Sequence, residues 1–169
     1  MKTHLLNTYA FNLRYANVLV EDLEEALMTQ SPTKGLENHP AFTIGHLVSA
    51  AALTSKYLGG PYDLPPDWEN LFRRQGPGDP RLPELDSSLY PEKEDLLKAL
   101  ADHHERVEKL ILNLEEEAFM KPTKWRYTEH LPTMGGLLFF MCITHESMHL
   151  GQLAGWRRAM ELPSALAKL

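Results

Sequence analysis

Two histidines lie one helical turn apart in the stretch Thr144-His-Glu-Ser-Met-His-Leu-Gly-Gln152, inside a long apolar segment. At this i, i+4 spacing the side chains of His145 and His149 leave the same face of a helix, with Cβ atoms about 5–6 Å apart. Imidazoles this close can share one metal ion at about 2.0–2.1 Å per nitrogen. The stretch therefore predicts a helix that carries part of a metal site.

Four segments have the hydrophobic spacing of amphipathic helices. We predict that they run from Thr3 to Thr29, from about Asn38 to Gly59, from Pro91 to about Glu117, and from Thr133 to about Glu161. Asn38 and Thr133 are the predicted N-caps of the second and fourth helices. No alternating pattern typical of strands competes with these segments. The sequence therefore predicts an all-α protein, a four-helix bundle.

The connection between Gly59 and Leu89 is long and rich in proline and glycine. Neighbouring helices of a simple up-and-down bundle do not need such a connection. Within it, Asp67 is predicted to cap a short helix that reaches Arg74. We expect the connection to cross over the bundle or to cover a site.

Composition limits the class of protein. The 169 residues fit a single domain, 1–169, and the net charge of -6 argues against an extended nucleic-acid surface. A single cysteine, a polar beginning and the lack of any long apolar run predict a cytoplasmic protein that does not enter a membrane. Arg157 and Arg158 are predicted to be solvated near the end of the fourth helix.

Four histidines fall on or near the inward faces of the predicted helices: His46, His103, His145 and His149. A lone inward histidine is more often a hydrogen-bonded core residue than a ligand. Several together favour a shared metal ion, because burying each imidazole without a partner costs about 1–3 kcal/mol. Three imidazoles with the remaining positions open is a catalytic arrangement, since structural zinc is usually closed by four protein ligands.

The other candidates near this face have open roles. His103 is either a further ligand, a partner that orients a ligand, or a core residue. Cys142 also turns toward this face, although buried cysteines are more often small apolar residues. Met148 and Gln152 lie on the same predicted inward stripe as His145, and Gln152 could orient a ligand. The remaining histidines are predicted to be ordinary surface residues: His4, His39, His104 and His130.

Two other metal motifs fit less well. His145-Glu146-Ser-Met-His149 matches the H-E-x-x-H pattern of zinc proteases. However, no further histidine follows His149, and the one downstream glutamate, Glu161, falls on the same predicted helix. Di-iron bundles need a second Glu-x-x-His motif, and the chain has a single one. A mononuclear site is the better interpretation.

These residues resemble a known family. The segment Thr43-Ile-Gly-His46-Leu-Val-Ser-Ala, the long Pro-rich connection, and Thr144-His-Glu-Ser-Met-His-Leu-Gly-Gln-Leu-Ala-Gly-Trp-Arg-Arg158 are similar to the DinB-like superfamily of metal-binding four-helix proteins. The resemblance spans nearly the whole chain. It implies an up-down-down-up bundle with the long loop as crossover between helices two and three, and frequent homodimers.

The resemblance also implies a site and a chemistry. A Zn, Ni or Fe ion would be held by three histidines, which by position are His46, His145 and His149. Relatives include thiol S-transferases that use bacillithiol, mycothiol or similar low-molecular-weight thiols, and a mycothiol-dependent maleylpyruvate isomerase. The sequence therefore predicts a metal-dependent transferase that joins such a thiol to an electrophilic small molecule. Glu146, Gln152 and His103 are then the candidates for pocket residues and for partners of the ligands.

Two alternatives stay open at this point. A stress-responsive protein could hold a metal or small ligand at the same site without turnover, because binding requires the same three ligands. A bundle with a polar core and no metal would also carry inward histidines. Loss of His46 or His149 would then change stability but not metal content.

Overall fold

The computed structural model describes residues 1–74, 76 and 79–169 and is all-helical over them, as predicted. The α-helices are α1 Lys2–Val20, α2 Pro40–Tyr57, α3 Pro66–Phe72, α4 Lys93–Leu112, α5 Met134–Phe139 and α6 Glu146–Ala159. A π-helical segment, Phe140–His145, joins α5 to α6. The described residues contain no strand beyond an isolated bridge between Pro122 and Thr133, and none of their helices is both long and apolar enough to cross a membrane.

The long helices pack side by side around a core in two parts. The contact between α2 and α4 is the most extensive. In addition, α1 packs against α4, α6 packs against α2, and α1 and α6 pack against each other. One part of the core contains Leu19, Ile44 and Leu96 together with residues of α6. The other joins the beginnings of α1 and α5 to the end of α4. α2 is buried on nearly all sides, so it occupies the centre of the fold.

Two helices end earlier than the sequence predicts. α1 ends at Val20 instead of Thr29, and α4 ends at Leu112 instead of Glu117. Both predicted extensions carry acidic residues, which are unfavourable at the negative end of a helix dipole. The chain turns there and resumes in short 3-10 helices, Glu25–Leu27 and Glu116–Met120.

The caps match the predictions in part. Thr133 caps α5, because its side chain accepts a hydrogen bond from the backbone N–H of Gly136 at 3.2 Å. α2 is capped by His39 rather than Asn38: its Nδ1 accepts the N–H of Phe42 at 3.2 Å. The predicted short helix in the long connection exists as α3, but Asp67 lies inside its first turn and does not cap it.

The π-helical segment changes which face of the last helix is buried. A π turn holds one residue more than an α turn, so the faces before and after it are out of phase. In α6 the buried residues are Glu146, Leu150, Leu153, Trp156 and Arg157. Met148 is 58% exposed and Gln152 is also exposed, which corrects the prediction that both lie on the inward stripe.

Arg157 is a second correction, because it is buried rather than solvated. Its exposed fraction is 2%. The guanidinium donates to both carboxylate oxygens of Asp22 at 2.6 and 2.9 Å and to the carbonyl oxygens of Leu19 and Pro163 at 2.8 and 3.0 Å. The side chain thus ties the turn after α1 to the segment after α6. Arg158 is exposed, as predicted.

Candidate metal centre

Three imidazoles converge where α2 faces the junction between the π-helical segment and α6. The Nε2 atom of His145 lies 3.3 Å from Nε2 of His46 and 3.2 Å from Nε2 of His149. The ligand atoms of the three side chains all lie within 4.8 Å of one another. Two nitrogens bound at 2.0–2.1 Å to a tetrahedral ion are about 3.3 Å apart. The cluster therefore has the spacing of a three-histidine metal site.

The protonation state of these imidazoles also suits a metal ion. Burial, followed by the charge of the neighbouring His46, lowers the pKa of His145 to about 4. Burial, followed by His46 and His145, lowers the pKa of His149 to about 3. The pKa of His46 is lowered by burial as well. Neutral imidazoles are the form that binds metals, so these shifts favour binding at neutral pH.

Hydrogen bonding alone does not satisfy the cluster. An Nε2–H on His145 can point at one neighbouring nitrogen but not at two. The Nε2 atom of His145 is therefore left with a neighbouring nitrogen that no proton can bridge. A central cation would engage all three Nε2 lone pairs at once, which is the arrangement that the donor set fits.

The orientation of His46 is fixed by the backbone of α3. Its Nδ1–H donates to the carbonyl oxygen of Phe72 at 2.8 Å, which leaves the lone pair of Nε2 directed at the cluster. The fully buried ring of Phe72 lies against Gly45, where an added Cβ would come within 2.3 Å of the ring. The long connection therefore reaches the metal centre through Phe72, a contact that side-chain patterns in the sequence could not reveal.

Glu146 is engaged away from the three imidazoles. It is buried, and its Oε1 accepts a hydrogen bond from Nε2 of His104 at 2.8 Å. The ring of Tyr9 stacks on His104 with centroids 3.8 Å apart. Burial raises the pKa of Glu146, and His104 opposes the shift. In this arrangement the glutamate links α6 to α4 and α1.

The other two candidate pocket residues also have contacts of their own. Nδ1 of His103 donates to the carbonyl oxygen of Ala99 at 2.8 Å, and His103 lies outside the three-histidine group. The exposed side chain of Gln152 accepts a hydrogen bond from Asn38 at 3.3 Å. Their predicted roles toward a ligand stay predictions.

Cys142 belongs to the apolar core. It is 1% exposed, and burial raises the pKa of its thiol. Both properties oppose formation of a thiolate, so this side chain is unsuited to act as a nucleophile.

Two of the histidines assigned to the surface are buried instead. His39 is 0% and His104 is 3% exposed, whereas His4 and His130 are exposed as predicted. His39 escaped recognition because it precedes the first residue of α2 and caps it. His104 follows His103 on α4, and the inward face predicted for that helix included His103 but not His104. The hydrophobic spacing of the helices did not indicate which residues His39 and His104 would contact.

Two open depressions are lined by the long connection. One, of about 550 Å³, is bordered by Trp68, Leu71 and Tyr90 among others. The second, of about 390 Å³, is bordered by Asn70, Leu71, Arg74 and the segment 81–84. Both lie on the side of α3 and the residues that follow it, so the connection that orients His46 also shapes the nearby surface.

Comparison with known proteins identifies the family. The sequence profile of the DinB superfamily matches residues 9–153, a range that includes α2, α4 and all three clustered histidines. Neither a curated protein nor a solved structure shows significant similarity to the chain. With a match over most of its length, the chain belongs to the DinB superfamily.

Proposed function

We propose that this protein is a metal-dependent enzyme with one divalent ion held by His46, His145 and His149. The observation that carries the proposal is the convergence of three Nε2 atoms, with neighbouring atoms 3.2 and 3.3 Å apart. Membership of the DinB superfamily supports it independently. Zn, Ni and Fe are the candidate ions.

We further propose that the reaction is transfer of a low-molecular-weight thiol to an electrophilic small molecule. A divalent ion in the site would supply the charge that holds a thiol as its thiolate at neutral pH. Transfer forms a carbon–sulfur bond at the electrophile while the bond from that carbon to its leaving group breaks. The leaving group departs with the bonding electrons, and the thiol proton passes to solvent or to the leaving group. The three imidazoles orient the site, and Phe72 fixes His46 through its carbonyl oxygen. Cys142 is too deeply buried to take part.

The first test is metal content per chain, measured by elemental analysis on protein purified without a metal-affinity column. Wild type is compared with His46→Ala, His145→Ala and His149→Ala, and exposed His130→Ala is the matched control. We expect near-stoichiometric metal in wild type and the control and its loss in the other three. Little metal in wild type after reloading with Zn, Ni and Fe would refute the site.

The second test separates catalysis from simple binding. Consumption of small thiols is measured with a panel of electrophiles, on metal-loaded and metal-free protein. Because the single cysteine is buried, the protein itself adds little to the thiol signal, and Cys142→Ala verifies this. Turnover above the metal-free level supports the transferase. Stoichiometric metal without turnover of any pair would leave a metal- or ligand-binding protein.

We also propose the up-down-down-up order for the four long helical stretches. Lys2 at the start of α1 donates to the carbonyl oxygen of Leu112 at the end of α4, which supports antiparallel α1 and α4. Arg157 near the end of α6 donates to the carbonyl oxygen of Leu19 near the end of α1, which supports parallel α1 and α6.

The order of the two middle helices has similar support. Gly60, just after α2, lies against Leu110 near the end of α4, as expected for parallel helices. Distances between spin labels at the helix ends, introduced on a Cys142→Ala background, test the whole order. The homodimer and the cytoplasmic location stay predictions, and sedimentation equilibrium tests the first of them.

A further inference from the structure

A cation lies one aromatic ring away from the three-histidine cluster. Arg74 follows α3, and its guanidinium carbon lies 4.2 Å from the ring centroid of Phe42. The ring of Phe42 in turn stacks on the imidazole of His46, with centroids 5.7 Å apart and an angle of 15° between the planes. One aromatic ring therefore contacts both the guanidinium and a proposed metal ligand.

The guanidinium of Arg74 keeps donors available. Its Nη1 makes two long hydrogen bonds, of 3.4 Å each, to the carbonyl oxygens of Leu71 and Arg73. Within residues 1–74, 76 and 79–169, no carboxylate forms an ion pair with it, and neither Nε nor Nη2 has a hydrogen-bond acceptor. Burial and then the neighbouring Arg81 lower the pKa of Arg74, and Asp79 and Tyr90 oppose the shift. The charge is thus partly desolvated, and among the described residues it forms no ion pair.

The second cation nearby is already neutralised. Arg81 pairs with Asp79, whose carboxylate oxygens accept from its Nε at 3.0 and 3.1 Å and from its Nη2 at 2.6 Å. Arg74 and Arg81 border the same depression of about 390 Å³, together with Leu71, Pro83 and Glu84. One positive charge with open donors therefore faces a cavity that could hold a small molecule.

We propose that Arg74 binds a carboxylate of the small molecule that enters the metal site. This inference rests on the proposed function and adds a substrate class to it: the ligand is anionic and carries its carboxylate away from the atom directed at the three imidazoles. A planar guanidinium held on an aromatic face presents its Nε and Nη2 donors as a fork that matches a carboxylate. A phosphate dianion fits less well, because among the described lining residues Arg81 is already paired with Asp79, and the carboxylate of Glu84 borders the same cavity.

The test compares two thiols of nearly equal size, mercaptoacetate and its neutral amide, on protein loaded with Co²⁺. Thiolate binding to the cobalt ion produces a charge-transfer absorption that gives the affinity of each. We expect wild type to bind mercaptoacetate at least about tenfold more tightly than the amide, the difference that about 1.4 kcal/mol supplies. Arg74→Gln should remove the preference, and Arg74→Lys should keep part of it.

Arg73→Gln is the matched control, because it removes the same charge from the adjacent, exposed residue that pairs with Glu69. The control should keep the preference, and all variants should keep wild-type helicity and cobalt content. Equal affinities for the two thiols in wild type, or the same preference in Arg74→Gln as in wild type, would overturn the inference and leave the proposed function intact.

A second readout does not depend on the metal. The Nε–H resonance of Arg74, identified by its loss in Arg74→Gln, is followed by NMR while mercaptoacetate or its amide is added to metal-free protein. We expect a saturable shift with the carboxylate alone. If cobalt-loaded protein binds neither thiol, the proposed function fails, and this titration still decides the inference: no shift with mercaptoacetate refutes it.

Discussion

The Nδ1 atom of His46 lies 2.8 Å from the carbonyl oxygen of Phe72, across a sequence separation that spans the end of α2 and the first half of the long connection. This hydrogen bond couples the three-histidine cluster to a segment outside the long helices. A displacement of α3 would turn the imidazole or change its tautomer. Outer hydrogen bonds of this kind commonly affect metal affinity about 10–100-fold.

Gly45→Ala should weaken metal binding without touching a ligand. The new Cβ would come within 2.3 Å of the buried Phe72 ring, so α3 must move away from α2. We expect metal affinity to fall about 10–100-fold and the free energy of unfolding to fall by about 1–3 kcal/mol. Chelator competition and urea unfolding measure the two effects.

Gly155→Ala is the control for that substitution. An added Cβ there meets no atom within 4 Å, and the position is helical. Alanine should therefore stabilise the protein by about 0.5–1 kcal/mol and leave metal affinity unchanged. Equal metal affinities in the two variants would contradict the coupling through Phe72.

His104→Ala should destabilise the protein while metal content stays the same. The substitution removes the hydrogen-bond partner of buried Glu146 and the ring that stacks on Tyr9. A buried carboxyl group without its partner and a cavity in the core should cost about 2–4 kcal/mol together. Urea unfolding of the metal-free protein measures this cost, and elemental analysis measures the metal.

Exposed His130→Ala provides the reference and should stay within about 0.5 kcal/mol of wild type. Loss of metal in His104→Ala, with stability unchanged, would instead place the His104–Glu146 pair in the metal site.

His39 should make stability depend on pH. Burial lowers its pKa from the ordinary value of 6.5, so the folded protein keeps the ring neutral while Nδ1 accepts the N–H of Phe42. As pH falls through 6.5 the unfolded chain takes up the proton first, so stability that is present above this pH is lost below it. His39→Asn keeps a capping side chain. As the pH falls, the metal-free variant should therefore lose less stability than metal-free wild type, and the difference should be up to about 1.4 kcal/mol per pH unit.

Urea unfolding at several pH values between about 7.5 and 5 measures the slopes. The three clustered histidines titrate alike in both proteins, so the difference isolates His39. Identical slopes for His39→Asn and wild type would show that the cap does not titrate in this range.

Arg157→Gln and Arg158→Gln should have very different effects, although the residues are adjacent. Arg157 is buried and donates hydrogen bonds to the carboxylate of Asp22 and to the carbonyl oxygens of Leu19 and Pro163. Its guanidinium lowers the pKa of Asp22 to about 2. Its loss leaves buried carbonyl groups without donors and should cost about 2–4 kcal/mol.

Arg158 is exposed, so its substitution should stay within about 0.5 kcal/mol of wild type. Thermal or urea unfolding compares the pair. Similar losses in both variants would mean that the charge near the helix end matters and the buried contacts do not.

Local patterns in the sequence predicted most of the helical structure. The hydrophobic spacing located all four long helical stretches, and Thr133 was correctly identified as a cap. The inward positions grouped His46, His103, His145 and His149, and the structure brings the first and the last two together without His103. These features depend on residues near one another along a helix, where periodicity carries the information.

Features that depend on distant residues escaped prediction. The burial of Arg157 requires Asp22, the burial of His104 requires Glu146, and both partners lie on other parts of the chain. The inward stripe of the fourth segment was extrapolated with α-helical spacing across Phe140–His145, so it placed exposed Met148 inside. Helical periodicity gives no sign of a π turn.

The π-helical segment Phe140–His145 also affects how related chains should be aligned. A π turn is one residue longer than an α turn, so deleting one residue there would restore a regular α-helix and rotate α6 by about 100° relative to α5. His145 and His149 would leave the cluster while every residue of α6 kept its identity. Alignments of related chains should therefore keep the length of this segment, because a one-residue gap here separates the three histidines as effectively as replacing one of them.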